Sequence, residues 1–223
     1  MSKVTIEDTS SAVCAFDEPE LLATTIELSD RFSSSGKIIE TGTLCGNSAC
    51  ILSFFFNEVH TIEKDPVYYG IAREKLSQRD NVYMHLGSSP IVLNGILIKG
   101  DSSYVIFLDA HGGAYEDDRV ADAYTPILDE LKIIKHKQSK PVIIIHDFFV
   151  PVEEGEEPAF KGSRFAYEDY GIPLDMNLIK PFIDDIYGEN NYDFHYIQNP
   201  HLSKMKHKLV DVDSGAVFFY PKQ

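Results

Sequence analysis

The sequence predicts a doubly wound α/β fold built on a mostly parallel, seven-stranded sheet with an antiparallel edge hairpin. Three observations carry that expectation. Strand-like apolar runs alternate with helix-like segments for most of the 223 residues, the order that gives a parallel sheet with right-handed crossovers. The runs "SYVIFLDAHGG" and "KPVIIIHDF" are continuously apolar, as strands covered by helices on both faces are. Near the end the rhythm changes: "YDFHYIQN" and "SGAVFFYPK" follow one another with no clear helix between them, which suits an antiparallel pair at one edge.

The elements follow in chain order. "DEPELLATTIELSDRF" opens with acids and a proline in a first-turn position, then sets Leu21, Leu28 and Phe32 at helical spacing. "KIIETG" is a compact strand ending in an acid and a glycine, with a helix starting near Asn47. "EVHTIEKD" and "NVYMHLG" are the next strands, separated by the helical "VYYGIAREKLSQ". "DRVADAYTPILDELKIIK" places Val120, Tyr124, Ile127, Leu131 and Ile134 on one face, and Pro126 inside it should kink or restart the helix. After the fifth strand comes an acidic, Gly- and Pro-containing stretch. We expect residues 151–173 to be a lid or flap within a single domain spanning 1–223.

Composition narrows the function classes. Twenty basic against 35 acidic residues give a formal charge of −15, which repels phosphate backbones and anionic lipid. Nucleic acid and membrane surfaces are therefore not expected partners. The basic stretches "KIIKHKQSK" and "KMKHK" are short enough to be solvated faces. No segment holds the ~20 consecutive apolar residues of a membrane helix, and the first residues lack the pattern of a signal peptide. Cys14, Cys45 and Cys50 show no metal-ligand spacing and suit free thiols in a reducing compartment, so a cytoplasmic location is expected. Oligomeric state leaves no signal in the sequence.

In an open α/β sheet, ligands bind beyond the carboxyl ends of the strands. That rule collects Glu40, Gly42, Thr43 and Gly46 after the first strand, then Glu63 and Asp65 after the second. It adds Gly87, Ser88 and Ser89 after the third, Asp109, His111, Gly112 and Gly113 after the fourth, and His146 with Asp147 after the fifth. Glycines at 42 and 46 let a ligand approach the backbone of a turn that opens a helix. Glu63 lies about twenty residues past the first glycine, the distance at which an acid meets a ribose diol. The spacing G-x-x-x-G differs from the dinucleotide fingerprint, and Glu40 would repel a pyrophosphate while attracting an ammonium or sulfonium. A cationic nucleoside fits better than a dinucleotide.

"IIETGTLCGNSA", "VHTIEKDP", "VYMHLGSS", "VIFLDAHGG" and "VIIIHDF", in that order, resemble the successive motifs of class I S-adenosylmethionine-dependent methyltransferases. The nearest branch is the small-molecule O-methyltransferases in which a histidine follows the fourth-strand aspartate. The resemblance implies a Rossmann-like methyltransferase fold and methyl transfer from S-adenosylmethionine to a small, hydroxyl-bearing acceptor. It implies that Glu40 organises the methionine end, Gly42, Thr43, Gly46 and Ser48 form the cofactor floor, and Glu63 binds the ribose. Gly87, Ser88 and Ser89 would lie beside the adenine, although family members often carry an acid where Ser88 stands. Asp109 would sit below the methyl group. For catalysis two routes stay open. One is a divalent ion such as Mg²⁺ on Asp109, His146 and Asp147, with His146 shifting preference towards a transition metal. The other is a metal-free site with His111 or His146 as general base beside Asp109.

Other readings accompany this one. Tyr115, Phe148, Phe149, Phe165 and Tyr167 either line an acceptor pocket or simply pack the flap. Cys45 is a small packed thiol rather than a nucleophile. A nicotinamide-dependent oxidoreductase and a non-catalytic S-adenosylmethionine-binding module are the rival functions.

Overall fold

A computed structural model describes residues 14–33, 35–110, 125–151, 169–198 and 215–223. After a short 3₁₀ turn at Ala15–Asp17, the order is α1 (Pro19–Phe32), β1 (Lys37–Thr41), α2 (Asn47–Leu52), β2 (Glu58–Glu63), α3 (Pro66–Lys75), β3 (Val82–Leu86) and α4 (Ser89–Ile96). There follow β4 (Tyr104–Leu108), α5 (Ile127–His136), β5 (Val142–His146), α6 (Met176–Tyr187), β6 (Tyr192–Gln198) and β7 (Gly215–Pro221). The seven strands form one sheet in the order β3-β2-β1-β4-β5-β7-β6. β1 to β5 run parallel, while β7 is antiparallel to both β5 and β6. This is the doubly wound fold and antiparallel edge expected from the sequence.

Strand alternation divides the core in two. Ile38, Val59, Val105, Phe107 and Ile144 point to one face, under Leu21 and Leu28 of α1, Ala49 and Leu52 of α2, and Ala72 of α3. Ile39, Ile62, Ile106, Ile143 and Ile145 point to the other, under Leu93 of α4, Leu131 of α5, and Ile179 and Ile183 of α6. Both faces of the central strands are dry, which explains their unbroken apolar runs.

Local chemistry sets the helix starts. Glu18 caps α1 by accepting from the Glu20 N–H, and Asp65 caps α3 by accepting from Val67 and Tyr68, each with a proline in the first turn. Pro126 occupies the N-cap position of α5, so this helix starts at the proline. Val120 and Tyr124 lie outside the described residues, as does most of the stretch 151–173 expected to be a lid or flap. Two helices carried no clear sequence signal. α4, "SPIVLNGI", is apolar on nearly every side and contains a glycine; α6, "MNLIKPFIDDIY", carries Pro181 in its interior. Asp175 starts α6 by accepting from Asn177 and Leu178, and its apolar face then holds it to the core. No helix among the described residues is long and apolar enough to cross a membrane.

The antiparallel edge is tied to the parallel body by Tyr187, whose buried hydroxyl donates to Pro141 O and, at 3.3 Å, to Phe219 O. Removing that hydroxyl in Tyr187→Phe should cost about 1 kcal/mol. Leu131→Ala, at a fully buried position, should cost about 2–5 kcal/mol. Urea unfolding of the two variants checks both the sizes and their order.

Candidate functional site

Alternation also decides which polar side chains meet. Glu40 on β1, Thr61 and Glu63 on β2, Asp109 just past β4 and His146 on β5 all share the α1–α3 face, at the carboxyl ends of neighbouring strands. The register places Glu40 directly beside Thr61 and Phe107. Four elements therefore deliver charge to one rim, as the sequence predicted.

The turn after β1 is shaped by two glycines in the left-handed region. Gly42 has φ +86°, and its N–H donates to Ile62 O at 2.9 Å. A Cβ there would stand 2.5 Å from Asp109 O, so only glycine lets this turn reach the end of β4. Gly46, at φ +77°, caps α2, and a Cβ would press on Leu76 and Ala72. Between them Leu44 also takes a positive φ of 49°. Its N–H is held at 2.8 Å by Glu63 Oε2, while Glu63 Oε1 accepts from the Asp65 N–H at 2.8 Å. Burial pushes the Glu63 carboxyl above its ordinary range, and the backbone N–H bonds oppose that. Sequence reasoning assigned Glu63 to a ribose diol. The structure shows that it also clamps the glycine turn, so a diol would use the second lone pair on each oxygen.

Glu40 has no exposed surface. Thr61 Oγ1 donates to its Oε2 at 2.5 Å, and Thr43 Oγ1 lies 2.5 Å from Thr61 Oγ1. With the Thr61 proton directed to the carboxyl, Thr43 is the donor in the second bond. Glu40 Oε1 has no hydrogen-bond partner among the described residues. Burial raises this carboxyl to about 8; the Thr61 bond counteracts it, and the charges of Asp109 and Glu63 add to the rise. A buried acid with one bare oxygen among other acids suits a ligand that brings a cationic donor. Thr61 escaped the sequence reading because only the register reveals it beside Glu40. The signal was its place two residues before Glu63, on the same side of β2.

At the other end of the rim, His146 Nδ1 lies 3.1 Å from Asp109 Oδ1 and 3.3 Å from Asp147 Oδ1. Its ring sits 5.8 Å from that of Phe107, and Asp147 holds a left-handed φ of 52°. One ligand atom from each of Asp109, His146 and Asp147 falls within 4.8 Å of the others. One imidazole and two carboxylates fit a divalent ion, and the nitrogen favours a transition metal over Mg²⁺.

The remaining expected residues are placed as follows. Gly87 donates to Glu63 O at 2.8 Å, Ser88 is the N-cap residue of α4, and Ser89 is buried with its hydroxyl unpaired among the described residues. Ser48 lies in α2 with its hydroxyl 3.2 Å from Cys14 Sγ, a thiol that burial raises to about 11. Cys45 is buried, as a packed thiol should be. Phe148 belongs to the hydrophobic core and stacks on Tyr196 at 6.0 Å, so it does not line an open pocket; Phe149 is half-buried. His111, Gly112, Gly113, Tyr115, Phe165 and Tyr167 lie outside the described residues.

No family model matches this sequence, and no curated protein matches it. Solved structures do share its fold. A Clostridium thermocellum protein assigned as an rRNA methylase superposes over 90% of this chain and 97% of its own, at 9% identity and TM-score 0.56. A Staphylococcus aureus protein assigned as a caffeoyl-CoA O-methyltransferase covers 98% of this chain and 93% of its own, at 15% identity and TM-score 0.54. SMU.1697c of Streptococcus mutans, assigned as a methyltransferase and solved with S-adenosylhomocysteine (SAH), covers 91% and 97% at 15% identity and TM-score 0.51. At these identities the common property is the Rossmann-like methyltransferase fold, reached by proteins assigned different acceptors.

The pH dependence of stability tests the Glu40 environment. Its folded value lies above the ordinary 4.5, so its contribution is full below 4.5 and is lost as pH rises through about 8. Glu40→Gln lacks that titration. Over this window wild type should lose stability relative to the variant, and parallel unfolding free energies in urea would contradict the assignment.

Proposed function

We propose that this chain binds S-adenosylmethionine and transfers its methyl group to a small, hydroxyl-bearing acceptor. The observation that carries the reading is Glu40: a fully buried carboxyl with one oxygen bare among the described residues, near the carboxyl end of the interior strand β1. A sulfonium nucleoside with an amino-acid tail supplies the positive charge that such a rim of acids lacks, whereas a dinucleotide would bring a pyrophosphate against it. The fold supports the reading, and so does the left-handed glycine turn that opens the rim to a ligand.

In this reading His146 is the general base. Its Nδ1–H donates to Asp109, which fixes the tautomer and leaves Nε2 as the basic nitrogen. The acceptor hydroxyl gives its proton to Nε2 while its oxygen attacks the methyl carbon in line with the sulfur. The sulfur–methyl bond breaks, its electrons return to sulfur, and the cationic sulfonium becomes a neutral thioether. Asp109 and Asp147 stabilise the imidazolium that forms. The same three residues would hold a divalent ion, whose contribution would be to polarise the acceptor oxygen. The formal charge of −15 favours a small acceptor over RNA.

Calorimetric titration tests the cofactor class. S-adenosylmethionine should bind in the micromolar range, and Glu63→Ala should weaken it by roughly tenfold or more. Absence of binding to the wild type would overturn the proposal. His146→Ala should retain binding but lower turnover by about 10²–10⁴-fold. Methyl transfer to RNA but not to a panel of phenols and other small alcohols would overturn the acceptor assignment.

A further inference from the structure

The opposite face of the sheet carries a second set of titratable side chains, outside the rim and independent of the function proposed above. His60 on β2 and His85 on β3 meet with Nδ1 of the first 2.9 Å from Nε2 of the second. His60 Nε2 lies 2.7 Å from Glu58 Oε1, and Lys37 Nζ lies 3.2 Å from Glu58 Oε2. Tyr83 stacks on His60 with ring centroids 5.2 Å apart, and Tyr104 presents an edge at 6.5 Å.

These bonds fix the tautomer of His60. A carboxylate on Nε2 requires the proton there, so Nδ1 carries the lone pair and points it at His85. In the proton-bound pair, His85 Nε2 supplies the single shared hydrogen. The carboxylate–histidine arrangement, with the other ring nitrogen unprotonated, is the one metal-binding histidines adopt. Burial and the neighbouring His60 hold His85 below its ordinary pKa, so it too can offer a neutral ring.

We propose that His60 Nδ1 and His85 Nε2 form a two-imidazole site for a divalent late transition-metal ion such as Zn²⁺. The ion replaces the shared hydrogen, and the His85 ring proton moves from Nε2 to Nδ1, so no proton need be lost. Metal–nitrogen distances of about 2.0–2.1 Å in a tetrahedral site require the two nitrogens to open by a few tenths of an ångström. β3 is an outer strand of the sheet and Tyr83 is half-exposed, so the pair has room to spread and water can fill the other positions. Imidazole donors select Zn²⁺, Cu²⁺ or Ni²⁺ over the hard ions Mg²⁺ and Ca²⁺.

The test is a Zn²⁺ titration of the wild-type protein followed by nitrogen-resolved NMR of its histidine rings. Reading each ring separately keeps this pair distinct from His146. His60 Nδ1 and His85 Nε2 should shift together and saturate at micromolar Zn²⁺, and the same concentrations of Mg²⁺ should move neither. His85→Gln should abolish the His60 shift. Glu58→Ala should raise the required Zn²⁺ by about 10-fold or more. If both rings stay unmoved at millimolar Zn²⁺, or if His60 responds at the same midpoint in His85→Gln, the pair is a hydrogen bond only and the proposal fails.

Discussion

A carboxyl group with no access to water sits near the end of the interior strand β1, and the rest of the rim is arranged around it. Ionising Glu40 in that position is costly, because an isolated buried charge lacks the solvation it would have in water. Three features bear on that cost. Thr61, oriented by Thr43, donates to one oxygen and favours the charged form. Asp109 and Glu63 act in the opposite sense through their negative charge. The other oxygen finds no donor among the described residues. Burial therefore favours the neutral acid, and a cation placed against it would favour the charged form. An electrostatic preference for positively charged ligands is thus built into the backbone register, since Thr61 faces Glu40 only because β1 and β2 pair as they do.

The glycine turn converts that register into an opening. Gly42 allows the chain to pass within contact distance of Asp109 O, which brings the ends of β1 and β4 together. Leu44, forced into a left-handed conformation, is held by Glu63. One side chain therefore both closes the turn and presents a carboxylate to the rim. Substituting Glu63 would loosen the turn and, in the proposed reading, remove a ligand contact as well, which separates it from Glu40, whose hydrogen-bond partner among the described residues is a threonine.

Much of this was legible in the sequence, and the failures have physical causes. Continuous apolar runs announced β4 and β5, because strands buried on both faces show no alternation. The rim acids were readable from position alone, since a strand ends where its apolar run does. Helix α4 was not readable, as an apolar segment with a glycine looks the same in a buried helix and in a strand. Helix α6 was hidden by Pro181, whose local cost is overridden by the packing of Ile179, Ile183 and Ile186 on the core. The contact of Thr61 with Glu40 and the His60–His85 pair were hidden for a third reason. Contacts across strands depend on register, which no local pattern encodes.

His146 is where the chemistry has to choose. Its Nδ1 faces two carboxylates, and one nitrogen cannot both donate a proton to Asp109 and give its lone pair to a metal ion. Protonated at Nδ1, the ring is an oriented base whose conjugate acid is stabilised by the same carboxylates. Deprotonated there, it would complete a set of one nitrogen and two oxygens able to hold a cation. The left-handed φ of Asp147 keeps its carboxylate in reach under either regime. In the proposed reading an imidazole at this position does more than complete a set of metal ligands. It also offers a nitrogen able to accept a proton where a third carboxylate would be too weak a base.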